Sequence, residues 1–481
     1  MSINVSGKIS QNSVKDIINI LIVIFFMFIF RLICPPFGPV TEVGVGVIGI
    51  FLGCLWGWSV CNIFWPSILG IFALQYTGLQ SMDETLVVAF TSTATMTMIF
   101  MFPMIYVLEK SGIVRFFAFK IINAKFAQGR PWLISFLVIF AAEIASGLVN
   151  LWVGNFLLWA LFYEMVDLYK IPKGKYTEYM VVAIAFAACM GGSLFAFSPG
   201  VLAPMGAFEA QTGMMLDQGR YFLYAFPVIT MFNIMFVLMG KFILRIDLSN
   251  VKIGKLEEDI KLDKYQKFIV GVLVFFILAL LLPSFIPKDW AITAILQTLG
   301  SRGVPALILV FLAIVNFTGG TPIAEAFDKG QNWSVIMMIA AIMALSGAIT
   351  AEATGITTLL NQGINTVLEG KGVLIFLIAS IFLSAFITNF ANNMVVGTVF
   401  ITLVGAYAES IGANGYAMAV IICQTMNACM MTPAGGASAA VLFGNKDWVR
   451  PAACIRYGAA IWLIVSCVCL ISYPYACLLF S

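Results

Sequence analysis

Histidine does not occur once in the 481 residues of this sequence. Its absence removes imidazole proton relays, imidazole metal ligands, the paired-histidine zinc protease motif and every Ser-His or Cys-His nucleophile system. Charge is scarce too. Asp, Glu, Lys and Arg together make up 10% of the chain, against about a quarter in soluble proteins, and no stretch reads as a soluble domain. The ten cysteines sit in or beside apolar runs and never in CxxC spacing, so neither a disulfide framework nor a zinc site is indicated. An enzyme embedded in a membrane would need a nucleophile with a base, or a metal cluster, and the sequence offers neither.

What the chain has in abundance is apolar length. Hydrophobic residues reach 61% and the mean hydropathy is +1.01. Runs such as "IINILIVIFFMFIF" (17 to 30), "FIVGVLVFFILALLLPSFI" (268 to 286) and "IWLIVSCVCLISYPYACLLF" (461 to 480) recur along the chain. A span needs roughly 20 such residues, which predicts an all-α polytopic membrane protein with about eleven transmembrane helices. The first run is followed by Arg31 and a Pro-Pro pair and not by a small-residue cleavage site, so it reads as a retained span.

Two segments follow the same order of events. In "MTMIFMFPMIYVLEKSGIVRFFAFKIIN" (96 to 123) and "SVIMMIAAIMALSGAITAEATGITTLLNQGIN" (334 to 365), a span gives way at Ser111-Gly112 or Thr354-Gly355 to a short amphipathic stretch. Each is followed by a long apolar run (131 to 169 and 372 to 404) interrupted by an Asn-Phe pair, Asn155-Phe156 or Asn389-Phe390. Lys110, Arg115, Lys120, Lys125 and Arg130 precede the first run, and Lys170, Lys173 and Lys175 follow it. Glu352, Glu369 and Glu409 flank the second, with Lys371 the only basic residue near. The positive-inside rule then places both ends of the first run in the cytoplasm and both ends of the second outside. The basic stretch 241 to 267 and the N-terminus with Lys8 and Lys15 are cytoplasmic by the same rule. The expectation is therefore two opposed re-entrant hairpins in an inverted repeat, a sequence pointer to a transporter core.

Asparagine in hydrocarbon is costly unless its amide is satisfied, yet "ITNFANN" (387 to 393) holds three. At a hairpin tip, carbonyls with Asn, Ser and Thr oxygens replace a cation's water, and half-helix N-termini attract an anion. Ser384 lies one turn before Thr388, beside Asn389; Asn150, Gly154 and Asn155 are the counterparts in the first hairpin. Interhelical glue is the alternative role for these asparagines. After each hairpin comes a helix that should unwind, "AIAFAACMGGSLFAFSPGVLAPMG" (183 to 206) and "AVIICQTMNACMMTPAGGASAAVLFG" (419 to 444). Glu143, a carboxylate in an apolar run, is either a relay or a paired buried group. Glu325 and Asp328 read as loop residues. Trp152 and Trp159 are candidates to line the site.

These tips and turns resemble those of the divalent anion/sodium symporters, the solute carrier 13 type, within the ion transporter superfamily. That family carries Ser-Asn-Thr at each tip and a Thr-Pro-Pro-Asn-like turn in each following helix. Here the tips read Gly154-Asn155-Phe156 and Thr388-Asn389-Phe390, and the turns Phe197-Ser198-Pro199-Gly200 and Gly436-Ala437-Ser438-Ala439. The resemblance implies a homodimeric elevator in the plasma membrane with a cytoplasmic N-terminus, sodium as coupling ion, no other cofactor and a small organic anion as substrate. By position it implies one sodium site at Asn150, Gly154, Asn155 and the Phe197 carbonyl, and another at Ser384, Thr388, Asn389 and the Gly435 carbonyl. The anion would lie among Asn155, Phe156, Ser198, Pro199, Asn389, Phe390, Gly436 and Ala437. Residues 1–110 and 242–352 would form the scaffold, and 111–241 and 353–481 the transport domain. Anion exchange or proton coupling through Glu143 stands as the alternative to sodium symport.

Overall fold

The computed structural model describes residues 11–248, 261–287, 289–315, 320–359 and 372–481. Lys8, Lys252, Lys255, Glu369 and Lys371, used in the charge reading, lie outside them, as does the second amphipathic stretch beyond Leu359.

The described residues are helical almost throughout. In chain order the main helices are α1 (Gln11–Ile24), α2 (Glu42–Trp56), α3 (Trp65–Ala73), α4 (Met82–Thr91), α5 (Thr93–Ser111), α6 (Ile113–Ile122), α7 (Pro131–Leu148), α8 (Leu151–Leu168), α9 (Lys175–Gly191) and α10 (Pro199–Thr212). There follow α11 (Gln218–Leu238), α12 (Lys264–Leu281), α13 (Ala291–Val315), α14 (Ile323–Gly330), α15 (Trp333–Thr350), α16 (Gly372–Ile387), α17 (Asn393–Tyr407), α18 (Gly415–Thr425), α19 (Ala437–Gly444) and α20 (Pro451–Leu479). Nine helical segments among the described residues are long and apolar enough to cross a membrane, or ten if α4 and α5, bent by 51°, count as one. The protein is thus an all-α, multi-pass membrane protein. The span count falls below eleven because two of the expected spans are broken into pieces shorter than the roughly 20 residues a crossing needs, α9 and α10 with 17 and 14 residues and α18 and α19 with 11 and 8.

Hydropathy is nearly uniform along such a chain, so helix ends are set by polar caps. Ser81 and Asp263 close capping boxes with Glu84 and Gln266. Asn150, Asn392 and Asn414 accept backbone amides at the starts of α8, α17 and α18. Beyond α5, Gly112 turns the chain at φ 69°, and after α15 Gly355 does so at φ 67°. Both are left-handed conformations that favour glycine.

Packing repeats with the partners exchanged. α4 lies against α15, and α14 against α5; α9 packs on α7 and α8, and α18 on α16 and α17; α9 also meets α19, and α18 meets α10. Such crossed pairings are what two copies related by a pseudo-two-fold axis produce. One expectation changes: Glu325 is not in a loop but on α14, where Tyr106 Oη of α5 donates to its carboxylate at 2.9 Å and Lys329 at 3.2 Å. These two donors hold its carboxyl below the usual range.

Small residues bring the helices of the first hairpin close. A Cβ on Gly191 of α9 would collide with the Glu143 carbonyl of α7, and one on Gly154 would stand 2.8 Å from Ser146 Cβ and 3.1 Å from Ala188 Cβ. The loop between α19 and α20 closes the base of this hairpin. Arg450 binds Glu178 through two parallel N–H···O bonds of 2.5 and 3.0 Å, Trp448 stacks on Tyr163 at 3.9 Å, and Lys173 lies 4.0 Å over the Trp448 ring. α7, α8, α9, α19 and α20 are joined into one packed group by these contacts.

Gly112→Ala should lower stability by about 1–2 kcal/mol, the cost of a Cβ in the left-handed region. Gly355→Ala should cost more, because its Cβ also meets the Pro39 carbonyl oxygen while the space around Gly112 is open. Thermal unfolding of the two variants in detergent checks the order; equal losses would mean the Pro39 contact is not tight.

Candidate functional site

Non-helical backbone at membrane depth needs internal hydrogen-bond partners, and the two broken helices find theirs in each other and in the hairpin tips. Between α9 and α10 the chain runs free of helix from Gly192 to Ser198, and between α18 and α19 from Met426 to Gly436, apart from a single 3-10 turn. Asn427 in the second break donates to Ser193 Oγ in the first at 2.7 Å. Its Oδ1 accepts from Asn393 at the start of α17 at 3.2 Å. Tyr221 of α11 donates to the Ser193 carbonyl at 2.8 Å and accepts from Gln424 Nε2 at 2.8 Å. Cys189 and Cys429 approach to 3.8 Å between their sulfurs.

The second hairpin locks onto the second break. Ser384 Oγ and Thr425 Oγ1 are 2.7 Å apart, and Thr388 donates to the Met426 carbonyl at 2.6 Å. Asn389 accepts the Met431 amide at 2.8 Å, donates to the Ala385 carbonyl at 2.9 Å, and its own carbonyl takes the Thr432 hydroxyl. Gly435 lies beside the Thr388 carbonyl, close enough that a Cβ there would come within 2.9 Å of it. Ser384, Thr388, Asn389 and Gly435 are therefore gathered in one place.

The first hairpin is arranged differently. Asn150 is the N-cap of α8, its Oδ1 occupied by the amides of Trp152 and Val153 at 2.9 and 3.0 Å and its Nδ2 directed to Glu109. Asn392 caps α17 in the same way, through Met394 and Val395. The caps are 242 residues apart and Gly112 and Gly355 are 243 apart, so Asn392, not Ser384, is the counterpart of Asn150. In this register Asn155 lies five residues beyond its cap and Asn389 three residues before its own, so the two are not at equivalent positions. The turn from Thr388 to Asn392 is longer than the Val149-Asn150 turn, so Asn389-Phe390 lies inside its turn while Asn155-Phe156 lies in the helix that follows the other. The phenylalanines do not converge either. Phe156, 50% exposed, stacks on Trp152 at 5.9 Å, and Phe390, 55% exposed, packs on Phe386 at 5.2 Å. Trp159 is buried and donates to the Val181 carbonyl.

Asn155 itself is fully buried in the second turn of α8. It donates to Ser438 Oγ at 3.0 Å across the repeats, and its Oδ1 has no hydrogen-bond partner among the described residues. Ser438 also donates to the Ala185 carbonyl at 3.4 Å. Ser198 and Gly436 are the N-caps of α10 and α19, with Pro199 and Ala437 opening those helices, as the aligned turns imply. Phe197 points its ring away, onto Phe195 and Phe276 at 4.9 and 5.0 Å. The N-terminal turns of α8 and α19 are joined here by the Asn155–Ser438 bond, Asn393 at the start of α17 lies 3.5 Å from where a Cβ on Gly436 would stand, and the buried polar residues among those described include no Lys or Arg. Sequence reading missed Ser193, Gln424, Asn427 and Ser438. A carboxamide one turn from another in "CQTMNAC" was the available signal for two of them.

A buried, cation-free polar centre between two interlocked breaks inside a multi-pass helical protein is the architecture of a membrane transporter. The profile of the citrate transporter family (CitMHS) matches residues 53–423, and the chain belongs to that family; membership carries secondary transport of an anion with it. Among solved structures the chain is similar in fold to the YdaH transporter of Alcanivorax borkumensis, with a TM-score of 0.58 over 85% of this chain and 90% of that one at 14% identity. No curated protein matches the chain in sequence.

Removing Asn389 leaves the Met431 amide without its acceptor, so Asn389→Ala should destabilise the protein by about 1–3 kcal/mol. Asn155→Ala removes an oxygen that no described group uses together with the amide that donates to Ser438, a hydroxyl that still has the Ala185 carbonyl as partner, and should destabilise less than Asn389→Ala. Thermal unfolding in detergent measures both; the reverse order would refute the division of roles.

Proposed function

We propose that this protein is a sodium-coupled symporter of a small carboxylate of the citrate kind. The observation that carries the reading is the unpartnered Oδ1 of Asn155, fully buried where the N-terminal turns of α8 and α19 meet, with no Lys or Arg among the buried described residues. A buried carbonyl oxygen without a donor costs about 1–3 kcal/mol, a cost a bound cation relieves. Helix N-termini alone supply only partial positive charge to a carboxylate, so a co-bound cation completes the neutralisation. Ser384, Thr388, Asn389 and the Gly435 carbonyl provide a second cluster of oxygens for the same purpose. Sodium ordering these oxygens first would raise anion affinity by linkage.

The moving part is the body built from α6–α11 and α16–α20, and the static part is α1–α5 with α12–α15, paired with a second copy in the plasma membrane with cytoplasmic N-termini. The packing group formed by the Arg450–Glu178 clamp supports treating the two hairpins and their broken helices as one body.

Glu143 supports the second reading, proton coupling. It is fully buried on α7, accepts from Thr230 at 2.9 Å and Asn233 at 2.8 Å, both on α11, and has no cationic partner among the described residues. A carboxylate held only by neutral donors is poised to carry a proton.

Uptake of radiolabelled citrate and smaller carboxylates into reconstituted vesicles separates the readings. With a sodium gradient alone, accumulation is expected, and Asn155→Ala should reduce it at least about tenfold, equivalent to 1.4 kcal/mol, with Glu143→Gln little affected. Accumulation driven by a pH gradient alone and abolished by Glu143→Gln would replace sodium with protons.

A further inference from the structure

We infer that the groove between α12 and α13 holds one acyl chain of an anionic glycerophospholipid, whose phosphate sits on Lys267 and Lys264. None of the residues lining this groove belongs to the polar centre, and the inference does not rest on the transport reading. The groove is a cavity of about 560 Å³ lined by Phe268, Gly271, Phe275, Leu299, Leu307 and Phe311 among other apolar side chains, with Lys267 the one charged residue in its wall. Gly271 opens into empty space: a Cβ added there meets nothing within 4 Å. α13 breaks helical geometry at Gly300 (φ 54°, ψ −161°), and Leu296, Leu299 and Val304 on either side of that break line the same cavity.

Length and charge decide the occupant. From Lys267 to Ala279 along α12 the groove runs twelve residues, about 18 Å at 1.5 Å per residue, enough to reach from the headgroup level through one leaflet, about 15 Å or half of a hydrocarbon core about 30 Å thick. An apolar slot of one leaflet's length, closed by a cation at one end only, matches an amphiphile with a single acidic head. Lys264 lies one turn before Lys267, so both ammonium groups reach the same level. Both are exposed, and neither has an ion-pair partner among the described residues. Basic groups beside a helix cleft at the membrane surface attract acidic headgroups. A second copy of the chain covering this face would have to bury both ammonium groups, which carries a desolvation cost that a phosphate offsets directly.

Native mass spectrometry and thermal unfolding of the full-length protein, with phosphatidylglycerol or phosphatidylcholine added to the detergent, provide the test. Phosphatidylglycerol should be retained and should raise the unfolding temperature, with phosphatidylcholine at least about tenfold weaker. Lys267→Gln, an exposed change that leaves the helix intact, should abolish the preference, and Gly271→Leu, which fills the slot, should release the lipid from a folded protein. Equal retention of both lipids by the parent, or an unchanged preference in Lys267→Gln, overturns the proposal. So does a Gly271→Leu variant that alters the oligomeric state and keeps its lipid, since the groove would then be an interface between copies.

Discussion

Everything in this molecule follows from the cost of leaving a backbone amide or carbonyl unpaired in hydrocarbon. The chain interrupts four helical paths within the bilayer, at two hairpin tips and two helix breaks, and each interruption exposes groups that water would otherwise satisfy. The solution is mutual. The second tip supplies Thr388 to the Met426 carbonyl and Asn389 to the Met431 amide, while the second break supplies Asn427 to Ser193 of the first. No interruption is self-sufficient, so the two repeats fold as one unit, and the place where they interlock is also the place where polar groups are densest.

This constraint explains why the centre is asymmetric although the scaffold around it repeats. Caps, left-handed glycines and helix breaks recur at nearly constant spacing because backbone geometry must close the same way in both copies. Side chains at the tips need only satisfy whatever is left over. The second tip uses all of Asn389 internally, whereas the first leaves Asn155 Oδ1 over. Both ends of the Asn389 amide are thus paired within the fold, and the oxygen of Asn155 is not.

Among the described residues no Lys or Arg is buried in the polar centre, and this bears directly on the proposed coupling. A site with fixed cations would hold a carboxylate whether or not a coupling ion were bound, and tight coupling would be lost. In the symport proposed above, oxygens and helix N-termini would make anion affinity conditional on a cation. Away from the centre the only demand is contact with lipid, and the wide apolar faces of α12 and α13 meet it.

The sequence alone determined the class of molecule, because hydropathy, the lack of histidine and the paired broken runs are one-dimensional properties. It also located the breaks: Ser198-Pro199 and Gly436-Ala437 open half-helices as their proline and glycines dictate. It misassigned the repeat register at the tips, where the likeness of two Asn-Phe pairs outweighed the caps. An N-cap is recognised by which amides an oxygen meets, and Asn150 and Asn155 are indistinguishable until the helix start is known. Only the tertiary structure decided which asparagine is fully engaged, which residues 283 positions apart, such as Asn155 and Ser438, share a hydrogen bond, and where Glu143 finds its donors. Hydrogen-bond satisfaction depends on neighbours brought by packing from the other repeat, and no local pattern in the chain encodes them.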